Sequence, residues 1–552
     1  IYRRSLSEGL AAGLVHVAPL RSLVKKVYRD VFKPHGGGYQ MHVAPGESPD
    51  KSPYFLRGLV VTTLDSYLWN MYRIPVAEAV KLEERLSMGH YYPIAAAALT
   101  SVNVFDEAHL YLDEALTPGV GVDAVRVLVE TLAGMNALLV VETATLRPST
   151  LADIAGGLNE KLARWGRRTR ILALPCQARM LSGHEAARKL EVAGVEDEEW
   201  VEASTLEWRT RITSSWDTVL PEIARLQDQG LVLAISNTVS GAVDLYRRLQ
   251  GMGIEELLLI HGRLSEEDRA RAEEKLGGME TGVVVATQVV EAGVDVNSIA
   301  VYTEAAPLEN LVQRAGRACR RGRSLEYCRS EGARLTIVDT GEYTVYDEDE
   351  TRRAVSLVAS HEERVDWRLP CDRQGYTGYA TLIHEADTPL TGGPILLGGQ
   401  AREEVVTSLL KAYLENDGRP WALLDILKHA GLCSLYRQTA MVSILVDDAQ
   451  GTVTASLDWA LANAEKILQR GHESGAPLIK AWRVDGEGAV IVEASSLWST
   501  WQRERARRAR GRGGNCYTLY DSLKKDISRA AERLEARATI LPVSYTHLTL
   551  PT

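Results

Sequence analysis

No stretch of the 552 residues approaches the roughly 20 consecutive apolar residues a helix needs to cross a bilayer. A chain anchored by spanning helices is thereby excluded, and no membrane is expected as a partner. The N-terminus also lacks the basic, apolar and small-residue pattern of a secretory signal, so the expected compartment is the cytoplasm. The six cysteines, at 176, 319, 328, 371, 433 and 516, contain no C-x-x-C pair. Neither a zinc site nor a disulfide framework is indicated, and the thiols are expected to be free and structural. Repeats of solenoid length are absent. A net charge of −10 excludes a generally basic, polyanion-coating protein, although a local groove of opposite sign stays compatible with that total.

What is there is the usage of a soluble globular chain: 45% hydrophobic and 25% charged residues. The length exceeds what one core can fill, so two or three domains are expected. Short apolar runs at Leu14–Ala18, Leu59–Thr62, Val102–Phe105 and Ala137–Val141 alternate with helix-length segments. Runs of that kind suit a parallel sheet covered on both faces. A second series follows at Leu231–Ile235, Leu257–Ile260, Val283–Ala286, Ile299–Tyr302 and Leu335–Val338. Two α/β domains in tandem are the simplest account, with a third α/β segment behind them.

The expected boundaries are 1–160 for the first domain, 161–214 for a connection, 215–345 for the second domain, 346–400 for a linker and 401–542 for a C-terminal accessory domain. Ser5–Gly13 reads as a helix ahead of the first strand. Residues 543–552 resemble a translated sequencing adapter and are left out of the fold. The connection carries a basic cluster, Arg164, Arg167, Arg168 and Arg170, that suits either a solvated linker or a nucleic-acid contact. It continues into an extended-looking stretch, Val201–Thr213.

Val104-Phe105-Asp106-Glu107-Ala108-His109 is an apolar strand that ends in two carboxylates. The carboxyl edge of an open parallel sheet is where ligands sit. Hydrolysis of ATP needs one carboxylate near Mg²⁺ and a second group to orient the attacking water, roles that Asp106 and Glu107 fit. Another strand ends in Glu142-Thr143-Ala144-Thr145, whose hydroxyls could take a hydrogen bond from the acidic box. In the second series, Ala286-Thr287-Gln288 leads to Glu291-Ala292-Gly293-Val294-Asp295. Gly293 there permits close backbone approach, and Asp295 could accept from a ribose hydroxyl or a neighbouring arginine. Gln313-Arg314-Ala315-Gly316-Arg317-Ala318-Cys319-Arg320 sets Arg317 and Arg320 three apart, expected on one helical face and suited to a γ-phosphate.

In this order the elements resemble superfamily 2 helicases and, within them, the CRISPR-associated helicase of type I interference systems. Ala18-Pro19-Leu20-Arg21-Ser22-Leu23 resembles motif Ia, Thr62-Thr63-Leu64-Asp65 motif Ib, Asp106 to His109 motif II and Thr143 to Thr145 motif III. Ser236-Asn237-Thr238-Val239 resembles motif IV, Ala286 to Asp295 motif V and Gln313 to Arg320 motif VI. The resemblance implies two tandem RecA-like domains that bind ATP and Mg²⁺ and move 3′ to 5′ on single-stranded DNA. It assigns Asp106 to the metal, Glu107, Arg317 and Arg320 to catalysis, and Gln313, Gly293 and Asp295 to nucleotide binding. Pro19, Arg21, Thr63, Asn237, Thr238 and Thr287 fall on the strand groove, which the family lines largely with backbone. His109, Thr143 and Thr145 fall on the coupling between sites. The implied partners are an RNA-guided surveillance complex and an HD-type nuclease.

Two departures stand out. No G-x-x-x-x-G-K-[ST] loop occurs in the chain, and its expected position falls just ahead of Ile1. No His is followed by Asp, so the HD-type nuclease is expected on a preceding segment or a separate protein. A C-terminal stretch with Trp498, Trp501, Arg503, Arg505, Arg507, Arg508, Arg510 and Arg512 fits a stacking surface or a solvated basic helix equally.

Overall fold

The computed structural model describes residues 7–41, 52, 54–75, 89, 92–112, 120–183, 190–291, 294–387, 400–415 and 419–430, with short pieces between 441 and 537. Residues 543–552 lie outside them. The chain divides into two compact units, Ile1–Thr143 with Pro394–Thr552, and Ala144–Gly393. No described helix is long and apolar enough to cross a membrane.

In the first unit, Gly13–Ala18 (β1), Gly38–Gln40 (β2), Leu59–Thr63 (β3), Ser101–Phe105 (β4) and Leu138–Val141 (β5) form one sheet. Its order is β2-β3-β1-β4-β5 and every pair is parallel. Parallel strands need crossovers, and helices Leu64–Met71, Tyr92–Leu99 and Val120–Gly134 supply them. The strands are apolar on both sides because both faces are covered: Val15, Val17, Val60, Val61, Val102 and Phe105 are all buried. Asn103 breaks that pattern inside β4, but its amide donates to the Ala98 carbonyl (2.8 Å) and its oxygen accepts from Tyr67 Oη (2.8 Å). The helix Gln400–Glu415 packs on Val120–Gly134, with Leu410 buried and Tyr413 Oη donating to the Tyr72 carbonyl at 2.9 Å. Of the helix expected over Ser5–Gly13, Ser5 and Leu6 lie outside the described residues; Ser7 is helical, and the chain turns at Glu8 and Gly9, where Gly9 takes a φ of 68°.

The second unit holds a small parallel pair, Arg170–Ala173 (β6) with Glu191–Gly194 (β7). Its main sheet comprises Trp208–Thr213 (β8), Leu231–Ile235 (β9), Leu257–Ile260 (β10), Gly282–Ala286 (β11), Ala300–Glu304 (β12) and Ala333–Val338 (β13). The order is β10-β11-β9-β12-β13-β8, parallel throughout. All nine strands expected from apolar runs are present, and the fold is mixed α/β with two parallel sheets in tandem.

Two differences from the expected boundaries have clear causes. β8 lies in the stretch read as a connection: it is an edge strand in which Trp208 is buried while Arg209 and Arg211 are exposed, so it has no continuous apolar run. Residues 348–386, expected as linker, carry helices Glu348–Ser360 and Tyr379–Ala386 and close the second core with Val358, Trp367, Leu382 and Ile383. Trp367 Nε1 donates to Thr210 Oγ1 at 2.9 Å, which ties that segment to β8.

The cysteine expectation is corrected. Cys176 is bonded to Cys371 and Cys319 to Cys328. Spacing along the chain carries no sign of a pair 195 residues apart; tertiary packing brings the two together. Cys433 and Cys516 lie outside the described residues.

Candidate nucleotide and nucleic-acid sites

The acidic box begins where β4 ends. Asp106 N–H still donates to the Val17 carbonyl (3.0 Å), so the chain keeps its register beside β1 for one more residue. Glu107 then turns sharply, with a φ of 50°. A left-handed non-glycine residue costs on the order of 1 kcal/mol or more and persists where its surroundings hold it. Here Leu110 N–H donates to the Glu107 carbonyl, Ala108 N–H to Glu142, and Tyr111 Oη to Asp106. Both carboxylates stay partly exposed, and Asp106 Oδ2 lies 3.2 Å from His16 Nε2.

His109 points inward, with only 3% of its side chain exposed. Burial pushes its pKa down to about 4, a shift that Asp106 partly offsets, so the ring is neutral at pH 7. Its approach to Glu107 (3.5 Å) is therefore not an ion pair. Thr143 Oγ1 sits 3.3 Å from His109 Nδ1, bringing two of the three expected coupling residues into contact. Thr145 lies in the second unit, buried, with its hydroxyl unpartnered.

In the second unit the arginine pair departs from expectation. The helix Leu308–Ala315 stops at Gly316, so Gln313 is helical but Arg317 and Arg320 are not. The backbone has a better partner there: Ala318 forms a parallel bridge with Ser298, the Arg317 carbonyl accepts from Ser298, and Cys319 N–H donates back to it. Cys319 adopts a φ of 57° to make that turn. Arg317 donates to the Glu291 carbonyl, and Arg320 to Asp295 Oδ1 at 2.6 Å. Of the two roles open to Asp295, the structure uses the arginine one twice, since Arg321 donates to Oδ2 at 2.7 Å. Gly293 lies outside the described residues.

The expected strand-contact residues sit at sheet edges, yet their side chains are mostly committed. Thr63 caps the helix Leu64–Met71 by accepting from Ser66 N–H (3.3 Å) and is buried. Thr238 caps Val239–Gly251 through Gly241 N–H at 3.0 Å. Thr287 is buried at the end of β11. Asn237 accepts from Arg314 at Oδ1 (2.9 Å) and donates from Nδ2 to the Ala305 carbonyl (2.8 Å). Pro19 and Arg21, after β1, are half-buried.

Residues 228–323, which span the Arg317 and Asp295 elements, match the family described as CRISPR-associated nuclease/helicase Cas3, C-terminal. The CRISPR-associated helicase Cas3 of Thermoproteus tenax is 25% identical over 333 residues, which are 58% of this chain and 50% of that protein. The CRISPR-associated nuclease/helicase Cas3 of Methanothermobacter thermautotrophicus is 32% identical over 228 residues, 40% of this chain and 24% of that one. Among solved structures, T. fusca Cas3-AMPPNP shares the fold at a TM-score of 0.52 and 16% identity, covering 81% of this chain and 55% of that one. Over these stretches the chain is similar to Cas3 helicases, and it shares their fold. It spans half or less of the length of the curated Cas3 relatives it matches.

Several residues of the second unit carry contacts that the motifs left without a role. Arg314 is fully buried and bound to Glu291 Oε1 at 2.7 Å. Its other partners are Thr303, Glu304, Asn237 and Tyr346. Arg314 and Glu291 stood inside quoted motifs; Tyr346 lay beyond all of them, and nothing in its sequence neighbourhood signals a role. The basic cluster of the connection surrounds the turn at Gly166, where Arg164, Trp165, Arg167 and Arg168 are exposed. Arg164 stacks over Trp165 (5.5 Å to the ring centroid), and Arg170 pairs with Glu191 at 3.1 Å. Of the C-terminal arginines, Arg503 and Arg507 are exposed; Trp498, Trp501, Arg505, Arg508, Arg510 and Arg512 lie outside the described residues.

Proposed function

We propose that the chain is the motor of an ATP-dependent helicase that translocates on single-stranded DNA, 3′ to 5′, in CRISPR interference of type I. The observation that carries this reading is the presence in one chain of an acidic strand end, Asp106-Glu107, and of the Arg317 and Arg320 loop, with the other motif elements in the order of superfamily 2. Asp106 would hold Mg²⁺ and Glu107 would orient the attacking water. Arg317 and Arg320 would meet the γ-phosphate, and Gln313, Gly293 and Asp295 would frame the nucleotide. The acidic box fits such an ion: Mg²⁺ takes one or two carboxylates and fills its shell with phosphate oxygens and water, and Asp106 offers one partly exposed carboxylate. Bound ATP and Mg²⁺ would supply the phosphoryl group and the charge that neutralises it; the protein's part is positioning.

The groove residues Pro19, Arg21, Thr63, Asn237, Thr238 and Thr287 would meet the strand chiefly through backbone, because the hydroxyls of Thr63 and Thr238 already cap helices. Contacts of that kind hold phosphates without reading sequence. His109 and Thr143, joined at 3.3 Å, would report the state of the acidic box to β5, with Thr145 further along the same path. An RNA-guided surveillance complex and an HD-type nuclease are the proposed partners.

The test is ATP hydrolysis by the full-length natural protein with single-stranded DNA, RNA of the same sequence, or no strand. Stimulation by DNA, abolished in Asp106→Ala and Arg317→Ala, is the expected result. Stronger stimulation by RNA would replace the substrate, and absence of hydrolysis with any strand would make the chain a binding scaffold.

A further inference from the structure

The Arg314 guanidinium carries five N–H donors, and each meets an acceptor. Nε donates to Glu291 Oε1 (2.7 Å), Nη1 to Thr303 Oγ1 (2.6 Å) and the Glu304 carbonyl (3.0 Å), and Nη2 to Asn237 Oδ1 and Tyr346 Oη (both 2.9 Å). A buried cation saturated in this way fixes the relative positions of everything that binds it. Three of its partners head loops at the carboxyl ends of neighbouring strands: Asn237 after β9, Glu291 after β11 and Glu304 at the end of β12. The loops are also joined directly. Asn237 N–H donates to Glu304 Oε2 (2.6 Å), and Gln288 Nε2 to the Asn237 carbonyl (2.7 Å).

Tyr346 is the one partner from outside these strands and the loops that follow them. Its hydroxyl accepts from Arg314 and donates to Glu291 Oε1 at 3.3 Å, closing a three-membered ring of hydrogen bonds. The Glu291 carbonyl in turn accepts from Arg317. We propose that Tyr346 is a positioning residue. By holding Glu291 against Arg314, it fixes the carbonyl that aims Arg317, so that a strand seated on the Asn237 and Thr287 loops alters the aim of Arg317. The inference rests on the functional reading above and adds a residue to it. The ring of Tyr346 packs near the guanidinium (5.7 Å) and the next residue, Asp347, caps the helix Glu348–Ser360, so the hydroxyl is held from the helix side.

Tyr346→Phe keeps the ring and removes the hydroxyl. Tyr343→Phe, which loses a 2.6 Å bond to Asp339 outside the network, is the control. In the full-length protein, Tyr346→Phe should lower the strand-stimulated kcat by about two- to thirtyfold, the range of coupling changes from single residues. The KM for ATP and the strand affinity should stay within about twofold of wild type, and the unstimulated rate should fall by less than the stimulated one. Tyr343→Phe should match wild type throughout. An unchanged stimulation ratio in Tyr346→Phe, whatever happens to its melting temperature, would overturn the proposal. If the wild-type protein shows no strand-stimulated hydrolysis, the functional reading fails by itself. Amide hydrogen exchange then decides the positioning: faster exchange at residues 288–291 and 314–320 in Tyr346→Phe supports it, and unchanged exchange refutes it.

Discussion

Arg147→Ala is the perturbation whose cost can be worked most directly from contacts. Arg147 opens the helix Pro148–Leu162, and its guanidinium has two carboxylate partners of different character. Nε donates to Glu309 Oε1 at 2.8 Å, and the Glu309 side chain is 2% exposed. Nη1 and Nη2 donate to the two oxygens of Glu350 at 3.2 and 2.8 Å, and that carboxylate is 32% exposed. Burial alone would ease deprotonation of Arg147; the bonds to Glu350 and Glu309 outweigh it and raise its pKa. The Glu350 arm is partly solvated and is worth about 1 kcal/mol or less. The Glu309 arm is another matter, because removing one partner of a buried pair leaves a buried charge and costs about 3–5 kcal/mol. Glu309 Oε2 already lacks a partner and cannot compensate.

Urea unfolding of the intact chain is the assay, with fluorescence of the buried Trp216 and Trp367 reporting on the second unit. Arg147→Ala should lose about 3–5 kcal/mol and Glu350→Ala about 1 kcal/mol or less. The double variant Arg147→Met/Glu309→Leu should regain most of the loss, since an apolar pair of similar volume replaces a buried ion pair at little cost. Salt should alter the Arg147→Ala difference little. An Arg147→Ala loss below about 1 kcal/mol would refute the assignment of a desolvated pair. So would a double variant that is worse than the sum of its parts.

The buried His109 makes stability depend on pH in a defined window. Its pKa falls from 6.5 unfolded to about 4 folded, so between those values the unfolded chain holds the extra proton. Stability from this group is complete above pH 6.5 and falls as pH drops toward 4, by about 3 kcal/mol in all. Unfolding free energies of wild type and His109→Gln should diverge across that range by about this amount; parallel curves would contradict the burial argument. The disulfides predict a thiol count. Four of the six cysteines are bonded, so denatured, unreduced protein should yield no more than two reactive thiols and reduced protein six. A count above two without reductant would show the bonds to be absent.

The parallel sheets were legible because their cause is local. A strand buried on both faces must be apolar on both, and nine such runs stand out in the sequence. β8 was legible only as part of the extended-looking Val201–Thr213: Trp208–Thr213 alternates more and less buried residues but lacks the continuous apolar run of the other strands, and Glu198–Ser204, which overlaps the start of that stretch, is a helix. Helix ends were legible only where propensity decides them. Gly316 terminates the helix Leu308–Ala315, but the bridge of Ala318 to Ser298, which turns Arg317 and Arg320 off the helix, is a tertiary contact with no local signal. Residues 348–386 read as linker for a similar reason: Trp367 and Ile383 find their core in strands far behind them in the chain.

Asn237 shows what the motif reading captured and what it left out. The Ser236-Asn237-Thr238 element stands at the end of β9, where a strand contact is expected. Yet Ser236 Oγ and Asn237 N–H both donate to Glu304, and each end of the Asn237 amide is engaged inside the protein. A residue committed at every polar atom is a poor reader of a ligand and a good transmitter of its position. Moving the β9 loop must move Arg314 or break a bond to a buried cation, and the second costs more than the first. The residue types that identify such a loop in a sequence thus serve its rigidity, and a strand bound as proposed would meet mainly its backbone. That division explains why motif order could point to the kind of protein while side-chain roles had to wait for the contacts.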